Sequence, residues 1–289
     1  MASFQVIQLN PKKFQSSQIK FIIILLPICL VMILPIIYIF CQAFKPLDEL
    51  FYFPPRIFVI NPTMDNFSEL FRLARVTGLP WMRYLLNSLI ITVLYVVCVL
   101  FLSVTTGYAF SKKEFKVKNV FFTVNQLALM FVAVAVQIPT YLIISALGLI
   151  DNFLVHIVPS LAVPVYLFLM KQNIDDVPKE ILESARLDGA NDLQIIIKFV
   201  MPLVKPTIAT IAILAFQSIW NSGGASTIYL NSENIKTLPY YLGLLTAQAG
   251  IKAAGVSAAS SLITFLPNLI IFIVMQSKVM NTMARSGIK

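Results

Sequence analysis

Asp175-Asp176-Val177-Pro178-Lys179-Glu180-Ile181-Leu182-Glu183-Ser184-Ala185-Arg186-Leu187-Asp188-Gly189-Ala190 is a short charged interruption between two long apolar runs. Its chemistry predicts a helix with firm ends. Asp175 and Asp176 are placed to cap free N–H groups, Pro178 suits a first turn, acidic residues favour the positive end of the dipole, and Gly189 supplies a stop. Asn191 or Asp192 then caps a second helix through Leu193-Gln194-Ile195-Ile196-Ile197-Lys198-Phe199-Val200, before Pro202 redirects the chain. The expectation is a helix, a tight turn and a helix. Ile181, Leu182, Ala185 and Leu187 need cover, and the small Ser184, Ala185, Gly189 and Ala190 permit close approach. Periodicity alone is satisfied equally by a cleft on another protein and by the inner membrane surface or the chain's own bundle.

On either side lie runs near 153–170 and 203–228, and further runs fall near 21–44, 85–110, 120–147 and 256–279. Each is around 18 residues or longer, enough to cross a hydrocarbon layer of roughly 30 Å. Hydrophobic residues make up 58% of the 289 and charged ones 12%, against about 45–50% and about 25% in soluble domains. These values exclude an ordinary water-soluble domain. Each run must be helical, because an isolated strand would leave its backbone groups unpaired in lipid. The expected fold is all-α and integral to the membrane, with six spans in a single transmembrane domain of residues 1–289. Pro27, Pro35, Pro139, Pro159, Pro164 and Pro267 are expected to mark kinks. The first run exceeds the roughly 7–15 apolar residues of a signal peptide, so it counts as a span.

The formal net charge of +9 is dispersed between the apolar runs and does not form the one-sided patch that would suggest nucleic acid. Positive charge is retained on the cytoplasmic side. With the N-terminus inside, that side holds Lys12, Lys13, Lys20, Lys112, Lys113, Lys116, Lys118, Lys171, Lys179, Arg186, Lys198, Lys205, Lys278, Arg285 and Lys289. Lys45, Arg56, Arg72, Arg75, Arg83, Lys236 and Lys252 fall opposite. The split is fifteen to seven and accounts for all 22 basic residues, so both termini are expected in the cytoplasm. Three connections are long: 45–84 and 229–255 outside, and 171–202 inside. Cys29, Cys41 and Cys98 lack metal or CxxC spacing and are expected to be small buried apolar residues.

Glu183-Ser184-Ala185, Gly189 six residues after the glutamate, and Phe199-Val200-Met201-Pro202 resemble the coupling-loop signature of permeases in binding-protein-dependent ATP-binding-cassette importers. That signature reads EAA, three residues, G, nine residues, I, x, L, P. Ser184, Phe199 and Met201 depart from it conservatively, and the spacing is intact. The likeness extends over most of the chain and looks most like the smaller maltose-type permeases of the carbohydrate branch. Asn87-Ser88-Leu89, Gly107-Tyr108-Ala109-Phe110-Ser111, Leu147-Gly148-Leu149, Val177-Pro178-Lys179-Glu180, Leu187-Asp188-Gly189-Ala190, Phe216 to Trp220-Asn221 and the terminal Gly287-Ile288-Lys289 carry it. After Asn221, however, Ser222-Gly223-Gly224-Ala225 stands where that group often has an acidic residue, an aromatic and Pro-Leu. Two glycines there would also permit a local unwinding.

The resemblance implies a type I importer permease fold in a bacterial inner membrane. It further implies a second permease, two ATPase subunits beneath and an extracytoplasmic binding protein. Carried over by position, Glu180, Glu183, Ser184, Ala185, Arg186, Asp188, Gly189 and Pro202 would belong to the ATPase-coupling element. Residues 229–255 would reach toward the binding protein and Ser286-Gly287-Ile288-Lys289 toward the ATPases. The chain has no GxxxxGK[ST] phosphate loop, so it is expected to bind no cofactor and to be no enzyme, with ATP and magnesium used by the partner.

Polar residues inside the runs are costly in lipid and stand as path candidates: Asn125, Gln126, Gln137, Tyr141, Gln217, Trp220, Asn221 and Asn268. Amides and aromatic rings suit sugars, while contacts between helices explain the amides equally well. His156 lies too near the outer end to favour a proton relay over packing. The same architecture could import a polyol, glycerol phosphate or an amino acid. A secondary transporter would need an intramembrane acidic residue, and the six runs contain none.

Overall fold

Apolar periodicity becomes helix throughout the computed structural model, which describes residues 17–76, 80–132 and 134–286, and no strand occurs among them. Lys12 and Lys13 of the head and Gly287-Ile288-Lys289 of the tail lie outside the described residues. We name α1 (Ser17–Phe44), α2 (Asp65–Val76), α3 (Trp81–Lys112), α4 (Lys118–Ala128), α5 (Gln137–Ala146), α6 (Pro164–Asp175), α7 (Lys179–Leu187), α8 (Asp192–Ile195), α9 (Lys205–Trp220), α10 (Leu238–Gln248) and α11 (Ala253–Ser286).

Three helical stretches are long and apolar enough to cross a membrane: Phe21–Phe44, Trp81–Lys112 and Gly250–Gln276. Two bent pairs raise this to five if each pair is one span. They are Phe153–Ser160 with Pro164–Asp175, bent by 49°, and Asp192–Leu203 with Lys205–Ile228, bent by 86°. The expected run 120–147 is not one continuous helix. It forms α4 and α5, of 11 and 10 residues, separated by turns. Pro139 explains the restart, since its ring would clash with the carbonyl four residues back and it falls in the first turn of α5. The β-branched Val132, Val134 and Val136 add little helix propensity in between.

Proline acts unevenly elsewhere. Pro27 and Pro35 sit inside an unbroken α1 and Pro267 inside an unbroken α11, whereas Pro164 opens α6 after a break. Cys41 is buried, Cys98 is half-buried and Cys29 is exposed on α1, so the expectation of burial fails for Cys29 within this chain.

The described residues fall into two compact units. One runs to Leu73 and takes in Leu245–Ile263; the other comprises Ala74–Leu244 and Thr264–Met283. In the first, Asn66 Nδ2 donates to the carbonyls of Ala43 (3.0 Å) and Lys45 (2.8 Å), supplying partners where α1 ends. A Cβ at Gly255 would come 2.1 Å from Asn66 Oδ1, so only glycine fits there. Glu69 of α2 accepts from Arg72 at 2.6 Å and from Lys252 at 3.3 Å.

The second unit is built on α3, which packs against α6 and α9. Its buried face carries Ile91, Tyr95, Val99, Val104 and Tyr108, meeting Tyr166, Met170 and Ile174 of α6 and Ile211 and Ala215 of α9. Gly107 brings the first two helices together, since a Cβ there would lie 2.7 Å from Met170 Cγ. Leu182, Ala185, Ile195 and Val200 belong to the same core, so the polar interruption is packed into the bundle.

Candidate coupling site and polar path

The interruption folds as a helix, a turn and a helix. α7 has Glu180 in its first turn and Arg186 in its last, matching the sense of the helix dipole. Asp175 and Asp176 do not cap it. Asp175 closes α6, Asp176 follows as that helix's C-cap, and Pro178 holds the N-cap position of α7. The reason is local: two residues with fixed φ and no side-chain acceptor suffice where Lys112 Nζ instead ties the preceding carbonyls of Asp175 (3.2 Å) and Val177 (2.7 Å).

The turn after α7 is fully bonded. Ala190 N–H donates to the Ala185 carbonyl and Gly189 N–H to that of Arg186, both at 3.0 Å. These are the two bonds of a Schellman motif, and Gly189 takes the left-handed conformation it requires, with φ +85°. Asn191 then forms a reciprocal capping box with Gln194: the Asn191 side chain accepts from Gln194 N–H at 2.8 Å and Gln194 Oε1 from Asn191 N–H at 3.0 Å. Beyond α8 the winding widens to a π-helix over Ile196–Val200. That widening gives room before Pro202, whose ring would otherwise press on a carbonyl four residues back.

The apolar residues of α7 divide between two faces. Leu182 and Ala185 are buried within the chain, while Ile181 is exposed and Leu187 is 90% exposed at the helix end. Glu180, Ile181, Ser184, Ala185, Asp188 and Phe199 line an open hollow on this outer face. Glu183 is exposed on the same helix. The element therefore satisfies both sequence readings at once, with one face in its own bundle and one presented outward.

Arg186 turns toward its own chain, with Nη2 donating to Tyr108 Oη at 3.0 Å. Tyr108 donates to Asp192 Oδ1 at 3.3 Å, and Lys113 Nζ meets Asp192 Oδ2 at 2.7 Å. Beside this knot Asp175 accepts from Ser111 (2.6 Å) and Lys171 (2.7 Å). Sequence reasoning missed Tyr108, Ser111, Lys112 and Lys113 as partners of the interruption. The stretch Gly107 to Ser111 is distinctive, but no local pattern says what its side chains will meet 60 to 80 residues later.

The path candidates separate. Trp220 is buried, stacks on Phe216 and donates from Nε1 to the Thr264 carbonyl at 3.0 Å, tying α9 to α11. Asn268 Nδ2 reaches Asn221 Oδ1 at 2.9 Å and the Thr264 carbonyl at 3.1 Å, and its Oδ1 is buried without a partner. Gln217 lies one turn before Asn221 and accepts from it through its carbonyl at 2.8 Å. These four are brought together. Asn125 donates to the Pro164 carbonyl at 3.2 Å, Tyr141 stacks on Tyr229, and Gln126 and Gln137 are exposed, so this second group stands apart.

The stretch 229–238 is held on two sides. Asp151 accepts from the N–H groups of Asn231 and Ser232 and from the Ser232 hydroxyl at 2.6 Å, and those bonds, the hydroxyl's first, hold its carboxyl below the usual range. The buried His156 lies 3.0 Å from the Ile235 carbonyl, in agreement with a packing role. Arg83 and Asn87 of α3 donate to the Asn234 carbonyl from the other side.

Residues 100–277 match the family described as binding-protein-dependent transport system inner membrane component. Among curated proteins the chain is similar to the arabinooligosaccharides transport system permease protein of Halalkalibacterium halodurans, 29% identical over 91% of this chain and 93% of that one. It is similar also to the polygalacturonan/rhamnogalacturonan transport system permease protein of Bacillus subtilis, 30% identical over 72% and 71%. Among solved structures it resembles a chain of a bacterial ABC transporter involved in the import of the acidic polysaccharide alginate. The TM-score there is 0.70 at 26% identity, over 93% of this chain and 99% of that chain.

Proposed function

The chain belongs to the family of binding-protein-dependent transport system inner membrane components, and from that membership we propose that it is one permease subunit of an ATP-driven importer of oligosaccharides. The observation that carries the proposal is the outward face of α7, with Leu187 90% exposed at the end of a helix otherwise anchored in the core. In this reading Glu180, Glu183, Ser184, Ala185, Arg186, Asp188, Gly189 and Pro202 form the coupling element, and Leu187 and Ile181 enter a groove on an ATPase. The partners are a second permease, two ATPase subunits that use ATP and magnesium, and an extracytoplasmic binding protein. The chain itself binds no cofactor.

The single transmembrane domain has six spans, with α4 and α5 as the two halves of the third, and both termini lie on the cytoplasmic side of a bacterial inner membrane. The fifteen-to-seven division of basic residues supports this orientation. Turn residues Met130 and Val134 are 78% and 77% exposed between the two halves. Non-helical backbone at membrane depth is tolerated only against protein or a water-filled cavity, so the break faces the second permease or the pathway. Gln217, Asn221 and Asn268 line that pathway, and Trp220 fixes the helices that present them.

Carbohydrate is the favoured cargo because the similar proteins named above carry sugars and polysaccharides in their descriptions. The test of cargo is thermal stabilisation of the cognate binding protein across oligosaccharides, polyols, glycerol phosphate and amino acids. Stabilisation by an oligosaccharide alone is expected; stabilisation by an amino acid alone would replace the substrate class and leave the architecture standing.

A further inference from the structure

Three parts of the chain meet at four side chains. Tyr108 and Lys113 come from the end of α3, Arg186 from the last turn of α7, and Asp192 from the first residue of α8. The Asp192 carboxylate is shared, with one oxygen 2.7 Å from Lys113 Nζ and the other 3.3 Å from the Tyr108 hydroxyl. The same hydroxyl accepts from Arg186 at 3.0 Å, and Arg186 stands 3.8 Å from Asp192. The Schellman turn and the capping box leave no slack between α7 and α8, because every bond that closes a helix end there is made. The two helices therefore move as one piece, and the knot fastens that piece to α3.

α3 is the 32-residue helix on which α6 and α9 pack, with Gly107 set against Met170 one residue before Tyr108. A displacement of α7 has two routes into the membrane. One runs along the backbone through Val177-Pro178 to α6 and through the π-helical segment to α9. The other passes sideways through the knot to α3. The backbone route crosses a proline turn on one side and an 86° bend on the other, both of which dissipate a push as local rotation. The side-chain route crosses two hydrogen bonds and an ion pair into a straight helix.

We propose that Tyr108, Lys113 and Asp192, together with Arg186, form a joint that transmits the motion of the coupling element to α3, and that they act as positioning residues for energy coupling. This rests on the importer reading above. The side chains of Lys113, Arg186 and Asp192 are 41%, 42% and 52% exposed, and ion pairs at such exposure add little to stability. Breaking the joint should therefore leave the fold and the subunit assembly in place and change how ATP hydrolysis is used.

The experiment uses the whole complex in proteoliposomes: this chain, its partner permease, the ATPase subunits and the binding protein. Uptake per ATP hydrolysed is compared among wild type, Tyr108→Phe, Asp192→Asn, Lys113→Ala and Lys113→Arg. Tyr108→Phe and Asp192→Asn should copurify with the ATPase and hydrolyse ATP, with uptake per ATP lowered about fivefold or more, the lower end of ordinary coupling between sites. Lys113→Ala should do the same and Lys113→Arg should restore the ratio. An unchanged ratio in Tyr108→Phe and Asp192→Asn would overturn the joint. So would loss of ATPase copurification in Tyr108→Phe, since that variant removes one hydroxyl and would then be a docking defect. A wild-type complex that imports without ATPase subunits would overturn the importer reading instead, whatever the variants do.

Discussion

Gly189 concentrates the account into one backbone angle. At φ +85° any L residue is strained, and for a β-branched one the cost is roughly 1–2 kcal/mol. No atom lies within 4 Å of where its Cβ would be, so crowding inside the chain adds nothing. Gly189→Val should abolish transport while leaving the protein in the membrane, measured as uptake against the amount of protein in membrane fractions. Leu187 offers the complementary substitution. Burying such a side chain in a partner contributes about 1.5–3 kcal/mol, so Leu187→Asp should weaken ATPase binding roughly 10- to 100-fold in a detergent pull-down. Gly107 tests the core: Gly107→Val drives a methyl toward Met170 and should cost about 1–3 kcal/mol, read as a lowered melting temperature of the purified protein. Of these residues Gly189 was legible in the sequence, because a helix stop needs it. Gly107 was visible only as part of a motif, since nothing local says that α6 will approach there.

Elements were legible to the extent that one physical cause dominates each. α3 and α7 follow from apolar periodicity and helix-end chemistry, and their ends lie within four residues of expectation. The third run was misjudged as continuous because hydropathy records length and is blind to the restart that Pro139 imposes. Prolines were misjudged in the other direction in α1 and α11, whose backbones stay helical. The anchoring of α7 by Lys112 and the knot at Asp192 are long-range, and no window along the sequence contains both partners. In α2, Glu69 carries a testable pH effect. The hydrogen bond from Arg72, ahead of that from Lys252, lowers its pKa from 4.5 to about 2. A carboxyl depressed in the folded state contributes stability that is fully present above its unfolded value and lost as pH falls through the folded one. Thermal melts of the wild type should therefore lose stability between about pH 4.5 and 2 that Glu69→Gln does not lose.

At the scale of the molecule, the chain presents more apolar surface than it buries, and much of α1 is exposed along its whole apolar window. Lipid and a second permease are the proposed cover. The sequence reached this level through resemblance and charge asymmetry, while the geometry contributes the outward face of α7 and the path cluster of α9 and α11. Asn268→Ala removes the amide that bridges Asn221 and the Thr264 carbonyl, and should lower uptake while leaving ATPase copurification intact. The most direct measurement is uptake of labelled oligosaccharide by proteoliposomes holding this chain alone or with its copurifying permease and ATPase, in the presence of the binding protein. Uptake is predicted only with the full set and internal ATP. Uptake by the chain alone, without ATP, would contradict the account.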